Sequence, residues 1–364
     1  MCFEHLYFLV EVFLLTEMIE LLISLIYYLI AFFVYLHLFL WIWKEVSMGI
    51  CRSEASLKGK LVLITGGNNG IGFETSVELA KRGAKLIIGC RSTQNVKTRI
   101  QKIVPEAEVE VHKLDLSSNK SIHHFADEIK SKYDAIDTLI NNAGMVTTEE
   151  RKSEDGYELT MATNYLGHAL LNHLLLDLVK KAGEAGEEYS RIILVASMAG
   201  QDKRAADELC HLRPDHKYDI DLGVKTMENF NQYGKSKLAQ IMYAKHLAKL
   251  LKEEGCNTMV ASLHPGFVRT DIFQGIPPGG RAKFIAWLSY AVGKTAFQGA
   301  QTTIYLALTT FSDFKNKSGM FFSDCRLKNW HDFRMPKVVG DPEACKALWD
   351  KTMALLKIQV IDNK

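Results

Sequence analysis

The sequence predicts an α/β chain in which a doubly wound parallel sheet forms a single domain, preceded by an N-terminal transmembrane helix. Three observations predict it. Apolar runs of strand length alternate with amphipathic runs of helical period from residue 58 onward. The first of these apolar runs ends in a glycine-rich turn that opens a helix. Leu21 to Trp43 carries no Asp, Glu, Lys or Arg. The chain then divides into a short N-terminal segment 1–20, a transmembrane helix 21–43, a juxtamembrane linker 44–57, one domain 58–357 and a tail 358–364.

As a helix, residues 21–43 span about 35 Å, enough for a bilayer core with some tilt. Trp41 and Trp43 stand at the end of the run, where interfacial aromatics belong. A cleaved signal peptide needs a basic n-region and a shorter apolar run, and the chain has neither. Glu4, Glu11, Glu17 and Glu20 precede the span, whereas Lys44, Arg52, Lys58 and Lys60 follow it. The positive-inside bias therefore predicts a single-pass membrane protein with its domain in the cytosol, the endoplasmic reticulum being the expected membrane.

Leu61–Thr65 reads as a buried strand, followed by Gly66-Gly67-Asn68-Asn69-Gly70-Ile71-Gly72 and the first turns of a helix. Without side chains at Gly66, Gly70 and Gly72, a pyrophosphate can reach backbone N–H groups at a helix N-terminus, where the dipole also favours negative charge. Gly66, Asn68, Asn69, Gly70, Ile71 and Gly72 are thus candidate dinucleotide-binding residues. Their G-x-x-x-G-x-G spacing departs from the commoner G-x-G-x-x-G fingerprint.

Further strands follow in an order suited to one sheet. Lys85–Cys90 ends at Arg91. Val109–Leu114 closes on Asp115-Leu116, which offers a contact for an adenine edge or a simple turn. Ile136–Asn141 runs into Asn142-Ala143-Gly144, amides and small residues that either tie strand ends together or touch a cofactor directly. A helix is expected from about Ser153 to Lys180, and Ile192–Ala196 ends on the Ser197 hydroxyl. Met259–His264 is expected as the last strand, leading through Pro265, Gly266 and Val268 to Thr270. In such sheets, ligands gather at the carboxyl ends of the strands.

Between Ser197 and Tyr233 lies a charged irregular stretch, about Gln201 to Asn231, which reads equally as a rim of a substrate site or a surface loop. Beyond it, Tyr233 and Lys237 share one helical face as i and i+4. A free phenol titrates near 10, and a cation beside it brings that value toward the working range of an acid–base catalyst. The apolar run Phe284–Val292 follows Pro277-Pro278-Gly279-Gly280 and is flanked by Arg281, Lys283 and Lys294. It reads as a helix lying over the cleft at the lipid surface, or as core.

At Thr65-Gly66…Gly70-Ile71-Gly72, Asn141-Asn142-Ala143-Gly144, Asn164, Ser197, Tyr233…Lys237 and Pro265-Gly266 the chain resembles the short-chain dehydrogenase/reductase family. Asn164-Tyr165-Leu166-Gly167-His168, His264-Pro265-Gly266, Gln298–Thr302 and Phe322-Ser323-Asp324-Cys325 bring it closest to the membrane-anchored retinol dehydrogenase branch. The resemblance covers roughly residues 58–357 and implies a Rossmann-type sheet. It implies that Tyr233 is the general acid or base, that Lys237 holds the nicotinamide ribose and lowers the phenol, and that Ser197 binds the substrate oxygen. Asn164 is then expected to position a water in the proton relay. Within the same pattern, Arg91 at the second strand end, where an NAD-preferring enzyme usually places an acid, implies NADP(H).

The expected function is hydride transfer between NADP(H) and a hydrophobic alcohol or carbonyl, with retinol and retinal favoured. A hydroxysteroid or fatty-aldehyde reductase has the same catalytic residues. A non-catalytic membrane-tethered dinucleotide-binding scaffold is the reading from another class. The expected partners are the substrate and the lipid bilayer, with an oligomer left open. A formal net charge of +2 argues against nucleic acid. Seven scattered cysteines and twelve histidines without ligand spacing suit reduced thiols and no metal.

Overall fold

The computed structural model describes residues 2–147, 151–185, 189–223, 229–269, 293–314, 316–328 and 335–358. Thr270 and the run Phe284–Val292 therefore lie outside the described residues.

Helix α1 runs without interruption over Cys2–Ser47. Within it, Val10–Phe39 is long and apolar enough to cross a membrane, and none of its apolar window is buried among the described residues. The expected boundary at residue 21 is not a boundary of the helix. No Gly or Pro interrupts residues 2–47, so the helix continues through the glutamates that precede the charge-free run. Beyond it the linker is docked on the domain. The Cys51 N–H donates to Gln301 Oε1 (3.0 Å), an Arg82 guanidinium N–H donates to the Ser53 carbonyl (3.4 Å) and the Leu57 N–H donates to the Arg82 carbonyl (2.8 Å).

The domain is built on strands β1 (Leu61–Thr65), β2 (Lys85–Cys90), β3 (Val109–Lys113), β4 (Thr138–Asn141), β5 (Ser190–Val195), β8 (Thr258–His264), β9 (Phe321–Ser323) and β10 (Arg326–Lys328). They form one sheet in the order β10-β9-β8-β5-β4-β1-β2-β3. All neighbours are parallel except β9 and β10, which form an antiparallel edge hairpin. Here the sequence reading fell short: β8 is not the last strand, because two three-residue strands are too brief to show a periodic signal.

Alternation along the strands divides the core into two layers. Leu61 and Leu63 point into a cluster with Phe125, Leu171 and Leu238. Val62 and Ile64 point into another with Phe73, Ile88 and Ile304. This is the period of two expected of a strand buried on both faces. Helix α2 (Gly70–Lys81), α3 (Val96–Gln101) and the helix Ala296–Leu308 cover one face. Helix α4 (Asn119–Lys132), α6 (Gly167–Ala185) and α8 (Asn229–Glu253) cover the other.

Two further expectations change. The helix expected from Ser153 begins at Leu159, where α5 (Leu159–Met161) is capped by the Glu158 carboxylate accepting from the N–H groups of Thr160 and Met161. A π turn at Ala162–Leu166 joins it to α6. The stretch after Gln201 is also more ordered than a surface loop. It contains α7 (Lys203–Leu209) and a hairpin of β6 (Cys210–Leu212) and β7 (Tyr218–Ile220). Buried Ala206, Leu209, Cys210 and Ile220 join the core, and Lys235 of α8 pairs with Asp221 at 3.1 Å.

Candidate active site

The strand order reverses between β1 and β4, with β2 and β3 to one side and β5 and β8 to the other. At such a switch point the connections leave in opposite directions and open a crevice beyond the strand ends. A cavity of about 520 Å³ lies there.

Its floor is the glycine turn, and Gly66, Asn68, Asn69, Gly70, Ile71 and Gly72 all line it. Gly66 and Gly70 have φ of +69° and +54°, which side-chain-bearing residues rarely adopt. Cys90, Arg91 and Ser92 bring in the end of β2, and Asp115 with Leu116 the end of β3. Asp115 partly takes the turn role, since one carboxylate oxygen accepts from both the N–H and the hydroxyl of Ser117 (2.9 and 2.7 Å).

Asn142, Ala143 and Gly144 line the cavity at the end of β4. The Asn142 amide donates to the carbonyls of Thr65 (2.8 Å) and Gly66 (3.2 Å), while its N–H donates to the Thr65 hydroxyl (3.0 Å). The structural role weighed for this residue is thus what its hydrogen bonds perform. Pro265 lines the cavity, but Val268 does not. Val268 is buried against the space of Gly299, where an added Cβ would lie 2.7 Å from its Cγ2. Val268, a candidate cofactor-binding residue, shares the space around Gly299 with Ile71, which lines the cavity. Gly266 likewise faces Lys294, whose side chain would meet an added Cβ at under 3 Å.

Tyr233 and Lys237 line the cavity from α8. The Lys237 ammonium lies 5.7 Å from the centre of the Tyr233 ring. Ser197 sits where β5 leads into the short helix Met198–Gln201. Its hydroxyl accepts from the Ala199 N–H at 3.2 Å. Burial pushes the Tyr233 phenol above its ordinary value of 10, and the nearby Ser197 hydroxyl opposes the shift without cancelling it. Burial also pushes Lys237 down to about 7. In the protein alone desolvation dominates both groups, raising the phenol and lowering the ammonium, and it outweighs the lowering expected of a neighbouring cation.

Asn164 sits fully buried in the π turn rather than on the cavity wall. Its Oδ1 accepts from the Met145 N–H (2.8 Å), and its Nδ2 donates to the Met145 carbonyl (3.0 Å) and the Ser236 hydroxyl (3.0 Å). It locks the segment after β4 to the catalytic helix. Sequence reasoning missed Gln240, which is fully buried and bonded to both Lys237 and Asn164. The available signal was its place, seven after Tyr233, as the one amide in the apolar run Leu238–Ala244.

The cavity fits a dinucleotide: a cradle without side chains at a helix start, a guanidinium at one strand end and a phenol–ammonium pair at the other side. Among the described residues no group of His, Cys, Asp or Glu could hold a metal.

A family model described as short chain dehydrogenase matches residues 60–208. The chain is 35% identical to retinol dehydrogenase 11 of Homo sapiens over 349 residues, covering 94% of this chain and 100% of that protein. An uncharacterised protein of Mycobacterium paratuberculosis has a similar structure, with a TM-score of 0.62 and 26% identity over 85% of this chain and 98% of that one. A Pseudomonas aeruginosa RhlG/NADP active-site complex shares the fold, with a TM-score of 0.56 and 24% identity over 73% of this chain and 95% of that one.

Proposed function

The chain belongs to the short-chain dehydrogenase family of oxidoreductases, in its retinol dehydrogenase branch, and from that premise we propose that it transfers a hydride between NADP(H) and a hydrophobic alcohol or carbonyl, retinol and retinal being the favoured class. One observation carries the reading. Tyr233 and Lys237 line, from one face of α8, the cavity that the glycine cradle floors, with the Lys237 ammonium 5.7 Å from the centre of the Tyr233 ring.

The bound nicotinamide supplies the hydride chemistry. The residues of the chain position and protonate. Gly66, Gly70 and Gly72 admit the pyrophosphate, Ser197 holds the substrate oxygen, and Tyr233 gives a proton to a carbonyl being reduced or takes one from an alcohol being oxidised. Lys237 holds the ribose and the phenol in one place. Support for NADP over NAD comes from Arg91 at the cavity edge, with no acid at the β2 end. Support for a membrane anchor comes from the apolar span Val10–Phe39, which the described part of the domain leaves uncovered; the charge asymmetry around it favours a cytosolic domain.

The test is a screen of the detergent-solubilised full chain against retinal, a steroid ketone and a short soluble aldehyde, each with NADPH and NADH. NADPH-dependent reduction of retinal is expected. Dinucleotide binding with no turnover of any carbonyl would leave the scaffold reading in its place.

A further inference from the structure

Tyr233, Lys237 and Gln240 stand at positions 0, 4 and 7 of one helical face. The Lys237 ammonium donates to the Val195 carbonyl (2.9 Å) and to Gln240 Oε1 (3.0 Å). These two acceptors occupy two of its three N–H bonds and leave the third for the cavity that Lys237 lines. The other end of the Gln240 amide donates to the Asn164 carbonyl at 2.7 Å. This fixes the orientation of the amide. Turned over, its oxygen would face the Asn164 carbonyl and its NH₂ would face the ammonium, two repulsions in place of two bonds.

The Asn164 carbonyl accepts a second hydrogen bond, from His168 Nδ1 at 2.8 Å. The tautomer follows from the neighbours. Thr65 Oγ1 accepts from the N–H groups of Asn142 and Ala143, both at 3.0 Å, so its proton is available to His168 Nε2 at 2.9 Å. Nδ1 then carries the proton, and burial keeps the ring neutral by pushing its pKa down to about 4. Gln240, Asn164 and Thr65 are fully buried and His168 almost so. A protein-only chain thus runs from the ammonium to the strand end that floors the cradle. Both lone pairs of the Asn164 carbonyl are taken by protein donors, so the link expected to pass through a water is closed by Gln240.

We propose that Gln240 is a positioning residue for hydride and proton transfer: it aims the third N–H of Lys237 at the cavity and ties the ammonium to the Asn164 backbone. The inference rests on the reading of Tyr233 and Lys237 as the proton-handling pair. Among the described residues, the titratable groups facing Lys237 are Tyr233 on α8 and His168 from α6. Its acceptors, the Val195 carbonyl of β5 and the Gln240 amide of α8, are uncharged. Loss of the Gln240 oxygen therefore removes one of the two fixed acceptors of a buried cation, and its proton should leave at lower pH.

The test replaces Gln240→Met, which keeps length and volume without polar atoms, and Gln240→Glu, which puts a charged acceptor toward Lys237. In the full-length protein without cofactor, the Lys237 amine is titrated by its rate of labelling with a small amine-reactive reagent, read by mass spectrometry, with Lys237→Met identifying the labelled peptide. Gln240→Met should move the midpoint lower by about one pH unit and Gln240→Glu should move it higher. With NADPH and an aldehyde, Gln240→Met should lower kcat by roughly 10-fold and shift the pH profile. If Gln240→Met folds with unchanged midpoint, kcat and profile, Gln240 is a satisfied core amide and the proposal fails. If that variant does not fold, the direction in Gln240→Glu decides. Full activity of Tyr233→Phe would instead sink the parent reading, and the amine titration would still judge Gln240 by itself.

Discussion

Gly72 and Asn142 compete for one point at the base of the cradle: a Cβ on Gly72 would lie 2.4 Å from Asn142 Nδ2 and 2.3 Å from the Gly66 carbonyl oxygen. The amide cannot swing aside without breaking its tie between the ends of β1 and β4. Gly72→Ala should therefore cost about 1–3 kcal/mol of stability by overpacking. It should also weaken NADPH binding, since the same amide shapes the turn. Thermal unfolding and a fluorescence titration measure both; an unchanged melting temperature and affinity would show that α2 can shift to make room.

Tyr233→Phe keeps the ring and its packing but removes the transferable proton. Turnover should fall by a factor of at least about 10² with dinucleotide affinity retained. Steady-state kinetics beside a binding titration separate the two quantities.

Arg91 lines the cavity at the end of β2. A guanidinium–phosphate contact is charge-assisted, so Arg91→Asp should change the NADPH to NADH ratio of kcat/KM by roughly 10- to 100-fold. Equal use of both cofactors by the unaltered protein would remove the basis for NADP preference.

The pH response of Lys237 has a definite sign. Its folded pKa, about 7, lies below the ordinary 10.5. Below about 7 both states are charged, and the folded state bears the full cost of burying an ammonium. Between about 7 and 10.5 the unfolded chain binds more protons, so stability from this group rises with pH. Compared with Lys237→Met, the unaltered protein should gain relative stability on going from pH 7 to pH 9. Urea unfolding of both, without cofactor, checks it; a constant gap would mean that the folded amine keeps its proton.

Gly49 seats the juxtamembrane linker. A Cβ there would fall 1.9 Å from the Asp324 carbonyl oxygen, a backbone atom that cannot turn away. Gly49→Val should lift the linker from the β9–β10 hairpin, and limited proteolysis between Ser47 and Leu57 should become faster. Unaltered cleavage would mean that the rest of the linker, bonded at Cys51 and Leu57, holds it without that contact.

The alternation of strands and helices, the glycine turn and the apolar N-terminal run were legible because each rests on residues close in sequence. The same holds for the shared face of Tyr233 and Lys237. The limits are equally physical. Phe321–Ser323 and Arg326–Lys328 are too short to carry a period, yet they extend the sheet beyond β8. Residues 2–20 carry four glutamates but nothing that breaks a helix, and the apolar span reaches back to Val10.

The sequence by itself determined the family pattern, the cradle and the spacing of the catalytic pair, since local periodicity and residue chemistry suffice for these. Only the tertiary structure decided what those residues experience. Asn142 binds strand ends, and Gln240, itself 76 positions after Asn164, joins Lys237 to the Asn164 carbonyl. It also decided that the phenol rises and the ammonium falls, because desolvation depends on every chain segment that closes around a group, and no local window of sequence contains them all.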